Sequence, residues 1–397
     1  MHHTPLFSAA GHAAARQAWS VVVVAIAACC HCYGESSDQW QAPDQPAWKN
    51  IISNVLASET QSGLKPDKVA PPVAVDRTTG QVYVYGQGNG GVLMASTDAG
   101  NTFAKLTQPL KSWGFIYFTP VSISPDGGRL AIFASRGGLS LDEGKTWSVF
   151  SEGPKWGLEQ ASVCWRDDGC MVLAREHSCD NKNKLFLSLD TGRTWNDLGN
   201  TYSACNLGLL PTGTIVTQQG SPDERGSWPV NRSDDRGKTW TTHPVSKDPS
   251  AAAAKHGVQF VYSVVTFKDV PYWLSCSGVY TTKDDGKTWN VVGNPFPDTM
   301  VGKEHFPVQG PMFGKDAHHI LVMLSDQFIE TVDGGAHWHS LMPTPRKVPS
   351  WYACAFAGYD PIRDILYFSM RHTADAHEWV QDQIHRAELK RETKKAQ

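Results

Sequence analysis

The sequence predicts an all-β protein, folded as a single seven-bladed β-propeller that its N-terminal strand closes. Three observations predict this fold. A short motif recurs six times at a steady interval, pairs of apolar runs precede its copies, and the composition favours turns, with 35 glycines and 24 prolines among 397 residues. Hydrophobic residues make up 41% of the chain, which is enough for a packed core. Short strands joined by many turns are typical of propeller blades.

The recurring motif has the form Ser/Thr-x-Asp-x-Gly-x-Thr-Trp, with Phe103 replacing the tryptophan in the first copy and His337 replacing the second threonine in the last. Successive aspartates are 44, 48, 45, 49 and 49 residues apart. A steady period of this length predicts a repeat architecture with four short strands in each unit. The six aspartates are Asp98, Asp142, Asp190, Asp235, Asp284 and Asp333.

Each copy of the motif predicts the turn between the third and fourth strands of a blade. Its glycine supplies a backbone with positive φ, and its aspartate and leading hydroxyl accept hydrogen bonds from turn N–H groups. The aromatic residue begins the outermost strand and packs between neighbouring sheets. Because six copies do not suit one active site, we assign the motif a structural role.

The sequence contains seven predicted hairpins but six motifs, so one blade lacks its outermost strand. The hairpins cover residues 72–86, 121–136, 161–175, 205–218, 259–276, 308–325 and 353–371. Residues 46–52 match the pattern of an outermost strand, with Trp48 in the tryptophan position. We expect this N-terminal strand to complete the last blade, since closure removes an exposed sheet edge. The alternative is a six-bladed ring with a displaced first hairpin.

The chain divides into a leader at 1–32, a linker at 33–45, the propeller at 46–375 and a charged, partly helical tail at 376–397. Residues 21–28 form an apolar run that is too short for a comfortable membrane span and fits a signal peptide. Cys29 follows a lipobox-like sequence. We expect a secreted or extracytoplasmic protein, lipid-anchored at Cys29; a retained N-terminal anchor helix is the alternative.

Charge and cysteine content exclude several classes. A net charge of −3 gives no basic field for nucleic acid. Cys164 and Cys170 flank an Asp-Asp-Gly turn, which predicts a hairpin disulfide, with buried free thiols as the alternative. No cysteine or histidine spacing specifies zinc, so we expect no metal and no cofactor. Six cysteines lie beyond the leader: Cys164, Cys170, Cys179, Cys205, Cys276 and Cys354.

The motif copies resemble the Asp-boxes of the sialidase-type (BNR-repeat) β-propeller superfamily, over residues 46–372. The resemblance implies that the alternative fold, the six-bladed ring, would be a propeller of the sialidase type. It implies either of two functions, because the superfamily includes sialidases and other glycosidases as well as sortilin-type receptors and photosystem assembly factors. We expect a monomer whose partner is a glycan or glycoconjugate, or else a protein, with membrane contact only through an N-terminal lipid or anchor.

Candidate binding residues lie on the face opposite the motif turns. Arg136, Arg175 and Arg371 each end the second strand of a predicted hairpin. Three converging guanidiniums bind a carboxylate through charge-assisted hydrogen bonds, and the resemblance implies an acidic sugar such as sialate or uronate. Trp113, on a connection of the same face, is a candidate for stacking on a sugar ring.

The catalytic candidates follow from the resemblance, which implies an aspartate acid–base and a tyrosine nucleophile assisted by glutamate. Tyr352 is the candidate nucleophile and Asp326 the candidate acid. Glu304 is the candidate base, with Glu159 and Glu176 as alternatives. His177, His305 and His372 fall near the same rim. The leading hypothesis is an exo-sialidase-like glycoside hydrolase that binds an acidic glycan; the alternative is a non-catalytic propeller for protein binding or complex assembly.

Overall fold

The computed structural model shows a propeller built from strands with apolar faces on both sides. Within the described residues, 28 strands form seven antiparallel sheets of four strands, arranged as the blades of a seven-bladed β-propeller. The predicted all-β fold is confirmed, and the six-bladed alternative is wrong. The structure describes residues 43, 46–59, 73–86, 92–106, 121–133, 137–150, 158–176, 184–199, 204–219, 228–243, 245, 260–302, 305–348, 355–370 and 384–391.

The described chain begins with a short strand and the single helix of the described residues. These are β1 (Lys49–Asn50) and α1 (Ile52–Glu59). The Asn50 side chain caps the helix, because its Oδ1 accepts a hydrogen bond from Ile52 N–H at 2.9 Å. Val55 is fully buried against blade one. The helix therefore fixes the path by which the chain enters the ring.

Blades one to four follow one another along the chain, each wound from its innermost strand outward. Their strands are β2 (Val73–Val75), β3 (Val82–Gly86), β4 (Val92–Ser96) and β5 (Ala104–Lys105); β6 (Val121–Ile123), β7 (Leu130–Ile132), β8 (Gly138–Ser140) and β9 (Ser148–Val149); β10 (Leu158–Arg166), β11 (Gly169–Glu176), β12 (Leu185–Ser188) and β13 (Asn196–Asp197); β14 (Ala204–Leu209), β15 (Ile215–Gln219), β16 (Val230–Ser233) and β17 (Thr241–His243).

Blades five and six are wound in the same way, and blade seven combines both ends of the propeller. Their strands are β18 (Phe260–Phe267), β19 (Val270–Ser275), β20 (Val279–Thr281) and β21 (Asn290–Val291); β22 (Pro307–Phe313), β23 (Ile320–Leu324), β24 (Gln327–Thr331) and β25 (His339–Pro343); β26 (Ala355–Asp360), β27 (Ile365–Met370) and β28 (Ile384–Glu388). In blade seven the order from the centre outward is β26, β27, β28 and β1.

The hydrophobic core lies between neighbouring blades. Phe133 of blade two packs in the same cluster as Val172 of blade three. In blade five, the rings of Phe260 and Trp273 stack with their centroids 4.2 Å apart. Because both faces of a blade meet a neighbour, the second strands are apolar on both sides; all eight residues of β11 are buried. This packing explains the near-continuous apolar runs of the sequence.

The predicted closure by the N-terminal strand is confirmed. Lys49 pairs with Arg386 and Asn50 with His385, so β1 forms the outer edge of blade seven. Trp48 lies just before this strand, and its Nε1–H donates to the Pro343 carbonyl of blade six at 2.8 Å. The tryptophan thus joins two blades, as the motif tryptophans were expected to do.

The predicted charged, partly helical tail is wrong for the stretch that forms β28. Ile384, Ala387 and Leu389 are buried, whereas Glu388 is exposed and Arg386 half-buried. Charged side chains surround these few apolar residues, and the pattern therefore resembles a solvated tail. Tertiary packing against β27 overrides that local signal.

Beyond β28, a group of charged side chains around the fully buried Glu330 joins blades six and seven; we name it the C-terminal clasp. Arg391 Nη2 lies 2.5 Å from Glu330 Oε1, and its Nε lies 2.9 Å from Asp364 Oδ2. His319 Nε2 lies 2.6 Å from the same oxygen of Glu330, and Tyr359 donates its hydroxyl to Asp364. Burial raises the pKa of Glu330, but the His319 hydrogen bond and the Arg391 charge outweigh it, so that the pKa lies below its ordinary value.

The structure favours free thiols over the predicted Cys164–Cys170 disulfide. Cys164 pairs with Met171 across the hairpin, and Cys170 pairs with Trp165. This register places the two thiols on opposite faces of blade three, where Cys164 packs toward blade four and Cys170 toward blade two. Both are free cysteines. The Asp-Asp-Gly turn closes the hairpin one residue out of the register that a disulfide needs.

We expect both thiols to resist alkylation until the protein unfolds. Burial raises the pKa of Cys164 to about 11 and that of Cys170 to about 12. At about pH 8 neither is a thiolate, so iodoacetamide leaves them unmodified in the native protein. In urea without reductant each takes one label, measured by peptide mass spectrometry. Labelling that requires a reductant would contradict the assigned register.

The clasp predicts that Arg391→Met lowers the free energy of unfolding at neutral pH by about 2–3 kcal/mol, because it leaves the buried carboxylate of Glu330 short of a counter-charge. The depressed pKa of Glu330 stabilises the fold above the unfolded-state pKa and stops doing so as pH falls through the folded-state pKa. The difference between variant and wild type therefore shrinks below about pH 4.

Urea denaturation across this pH range measures the effect. Arg236→Met is the matched control, because Arg236 is exposed on the motif turn of blade four. We expect its unfolding midpoint to equal that of the wild type. An Arg391→Met midpoint that also equals the wild-type value would show that the clasp does not stabilise the ring.

Candidate functional site

The propeller has two faces with different turns. One face, which we name the repeat-turn face, carries the turns between the first and second strands of the blades together with the six motif turns. These two kinds of turn contact one another between neighbouring blades. Arg363, in the first turn of blade seven, donates to the carbonyl of Thr97 in the motif turn of blade one at 3.1 Å. Thr212, in the first turn of blade four, donates to Asp285 in the motif turn of blade five. The opposite face, which we name the funnel face, carries the remaining connections.

All six motif aspartates are engaged within their own turns. In each copy, the leading Ser or Thr hydroxyl donates to aspartate Oδ1 and accepts from the glycine N–H, and Oδ1 also accepts a backbone N–H four residues on. Oδ2 accepts the second threonine hydroxyl, or contacts His337 Nδ1 in the last copy. Hydrogen bonds from Thr239 lower the pKa of Asp235 to about 2. These carboxylates hold turns.

The alternative base candidates Glu159 and Glu176 lie in the first and second strands of blade three. Of the other predicted binding and catalytic residues, Arg175 and Asp326 have described positions, and the structure places them in different blades. The others lie outside the described residues: Tyr352, Glu304, Trp113, Arg136 and Arg371.

Arg175 lies at the funnel end of β11. It pairs with Gln160 of β10 and Leu185 of β12, so it belongs to the interior of the sheet. Its side chain is buried, with 9% of the residue exposed, and the following Glu176 is buried as well. The position agrees with the predicted end of a second strand, and the cation is shielded from bulk solvent.

Asp326 lies in the turn between β23 and β24 and pairs with a histidine from the preceding connection. His305 Nδ1 is 2.7 Å from Asp326 Oδ2. The side chains are 44% and 29% exposed, respectively, so the pair is accessible from the funnel face. The other carboxylate oxygen, Oδ1, is shielded from solvent and has no hydrogen-bond partner.

Backbone hydrogen bonds hold this pair in place from both sides. Thr344 N–H donates to the Asp326 carbonyl at 2.8 Å, and Val348 N–H donates to the Ser325 carbonyl at 2.5 Å. Ser325 N–H in turn donates to the Phe306 carbonyl, next to His305, at 2.9 Å. The two connections are therefore tied together, and a side-chain pair on such a support is pre-organised.

The pair has the chemistry of an oriented acid–base group. When Nδ1–H donates to the carboxylate, the ring is oriented and His305 Nε2 becomes the proton acceptor. Sequence reasoning noted His305 near the rim without assigning it a role. The signal that was available is its place directly after Glu304 on a funnel-side connection; the pairing itself spans 21 residues and needs the fold.

Across the described ranges, no three histidine, cysteine, aspartate or glutamate side chains lie close enough together to hold a metal ion. Among those same residues, no helix has the length and apolar character needed to cross a membrane.

Comparison with known proteins identifies the fold. A scan against protein-family models found no match, and a search of curated proteins found none. Solved structures do match. YCF48 bound to a D1 peptide is 13% identical with a TM-score of 0.50, covering 89% of this chain and 99% of that chain. The chain folds as a β-propeller.

Two further solved structures match this chain. The Cps50 (Swd1) β-propeller domain of Myceliophteria thermophila is 10% identical with a TM-score of 0.51, covering 81% of this chain and 96% of that chain. The GH74 enzyme of Niastella koreensis is 14% identical with a TM-score of 0.37, covering 78% of this chain and 56% of that chain. At such identities the likeness shows the fold alone.

The motif geometry predicts that Asp284→Ala lowers stability and leaves the funnel face unchanged. The substitution removes the acceptor of three hydrogen bonds, and we expect a loss of about 1–2 kcal/mol in the free energy of unfolding. Asp298→Ala is the control, because Asp298 is exposed outside the motif turns. Equal unfolding midpoints for the two variants in urea would contradict the structural role.

Proposed function

We propose that the protein binds an acidic glycan on its funnel face and hydrolyses it with His305, oriented by Asp326, as the acid–base group. The observation that carries this proposal is the hydrogen-bonded, solvent-accessible His305–Asp326 pair at the funnel end of blade six. Glycoside cleavage requires a positioned group that protonates the leaving oxygen. A histidine held by a carboxylate meets that requirement.

The sequence-derived residues complete the proposal. Arg175, together with Arg136 and Arg371, supplies the positive charge that selects a sialate or uronate carboxylate. Tyr352 and Glu304 supply the nucleophile and its base, and Trp113 stacks on a sugar ring. In this proposal Asp326 is not itself the acid, because its Oδ2 is already engaged by His305. Secretion through the leader, with a lipid at Cys29, brings the protein to extracellular glycans.

We predict that wild-type protein releases fluorophore from at least one member of a panel of 4-methylumbelliferyl sialosides and uronides. His305→Gln lowers kcat by about 10²–10⁴-fold with little change in KM, since it removes proton transfer and spares substrate contacts. Asp326→Asn lowers kcat, because the amide replaces the carboxylate that holds the imidazole of His305 in place.

The matched control is His318→Gln, because His318 is exposed on the repeat-turn face. We expect its kinetics to equal those of the wild type. Full activity of His305→Gln on a substrate that the wild type cleaves would reject the assigned acid–base group. Absence of both turnover and binding on an acidic-glycan array would reject the glycan proposal.

The second candidate is a non-catalytic propeller that binds a protein segment. The observation that favours it is the likeness to YCF48 bound to a D1 peptide, which spans 99% of that chain. A protein that binds a peptide at the funnel face and turns over no glycoside would fit this candidate. Peptide binding that survives His305→Gln, with no activity on the panel, distinguishes it from the first.

A further inference from the structure

A cavity of about 320 Å³ occupies the centre of the ring, toward the repeat-turn face. The innermost strands of six blades line it, and the turns that follow these strands form its rim. Val265, which lines the cavity, is 37% exposed although it lies at the centre of the ring. The channel is therefore open to small molecules. Its volume lies at the lower end of the range typical of small-molecule pockets.

Arg77 reaches across this cavity. It follows β2 in blade one, and its guanidinium carbon lies 4.1 Å from the ring centroid of Phe267 in blade five. These blades are not neighbours, so the side chain extends through the centre of the ring. Phe267 is buried and supplies an aromatic face on which the cation rests.

No carboxylate of the described part of the chain forms an ion pair with Arg77. Its Nε is shielded from solvent and has no hydrogen-bond partner. The adjacent Asp76 is engaged elsewhere, because its Oδ1 accepts from Thr78 N–H at 2.8 Å and its Oδ2 accepts from Gly128 N–H at 2.9 Å. Burial lowers the pKa of Arg77 more than the Asp76 charge raises it. The half-buried Arg77, with its Nε shielded and unpaired, is stabilised by an anion.

Two polar side chains of the cavity lining, Ser122 and Gln309, are suited to donate hydrogen bonds. Ser122 Oγ already accepts from Trp165 Nε1–H at 3.3 Å, which leaves its own O–H to donate. Gln309 Oε1 accepts from Ala357 N–H at 2.6 Å, which leaves its amide NH₂ to donate. The cavity lining contains no Asp or Glu side chain among the described residues. One cation, spare donors and apolar walls together select a particular class of ligand.

We propose that the centre of the ring is a binding site for a small organic anion, a monocarboxylate with an apolar body, with Arg77 as its anchor. The carboxylate binds the guanidinium, and the apolar body packs among Val265, Phe313 and the other side chains of the innermost strands. A sugar suits this cavity poorly, because its hydroxyls require more polar partners than these walls supply. The site lies at the other end of the ring from the His305–Asp326 pair and does not depend on the proposed function.

The test uses 4-phenylbutyrate as the probe and 4-phenylbutanol as its uncharged counterpart, titrated into the full chain by calorimetry. We expect the wild type to bind the carboxylate at least about tenfold more tightly than the alcohol. Arg77→Met removes this preference and weakens carboxylate binding to the same extent. Arg193→Met is the control and binds both probes as the wild type does, because its charge lies on an exposed motif turn.

A second variant locates the site independently of charge. Val265→Trp fills the channel at a position that is already partly exposed, so we expect a folded protein that binds neither probe. In the wild type, the indole N–H resonance of Trp165 shifts on titration, since Trp165 lines the cavity. The proposal is overturned if the wild type does not bind 4-phenylbutyrate, if Arg77→Met binds it equally well, or if Val265→Trp retains binding.

Discussion

The closure of the ring is the constraint on which the rest of the structure depends. Each blade is apolar on both faces, so a blade without two neighbours would expose its core to water. The last sheet is completed by only two ladder pairs, Lys49 with Arg386 and Asn50 with His385. So short a ladder is weak by itself. Side chains on either side must reinforce it: Trp48 reaches into blade six, and Arg391 ties the end of β28 to Glu330 of the same blade.

Closure also creates the two chemically distinct ends of the molecule. Seven innermost strands converge, and their first turns bring residues of distant blades into contact across the centre, as with Arg77 and Phe267. On the funnel side, two connections of blade six meet to form the His305–Asp326 pair. The contact between Arg77 and Phe267 joins blades one and five, so it depends on the ring being complete. The His305–Asp326 pair is formed by connections of blade six alone.

The sequence predicts what is local. Each motif turn can be predicted because its hydrogen bonds lie within eight residues. The displaced N-terminal strand can be predicted because Trp48 occupies the tryptophan position of the repeat. The register of strand pairing is harder to predict from the sequence. A shift of one residue separates Cys164 from Cys170, since neighbouring residues on a strand face opposite sides.

Of the candidate site, the sequence predicts the face and single residues, but not their partners. Asp326 was assigned as an acid on its position alone, and the structure adds His305, which changes its chemistry. Arg77 gave no signal, because a lone arginine after a short strand resembles many solvated ones. Its significance arises from Phe267, which is 190 residues away along the chain.

A comparison of two arginines shows why Arg77 indicates a ligand rather than a structural ion pair. Arg232, also on the repeat-turn face, lies 2.8 Å from Asp285 of the next blade and 2.8 Å from Asp234, so its charge is balanced within the fold. Arg77 has a carboxylate next to it in sequence, yet Asp76 is oriented toward backbone N–H groups of its own turn and of blade two. Because turn formation fixes Asp76 in that direction, the fold itself denies Arg77 an internal partner. A cation left in this way at the mouth of an apolar channel is complementary to an anion that arrives from outside.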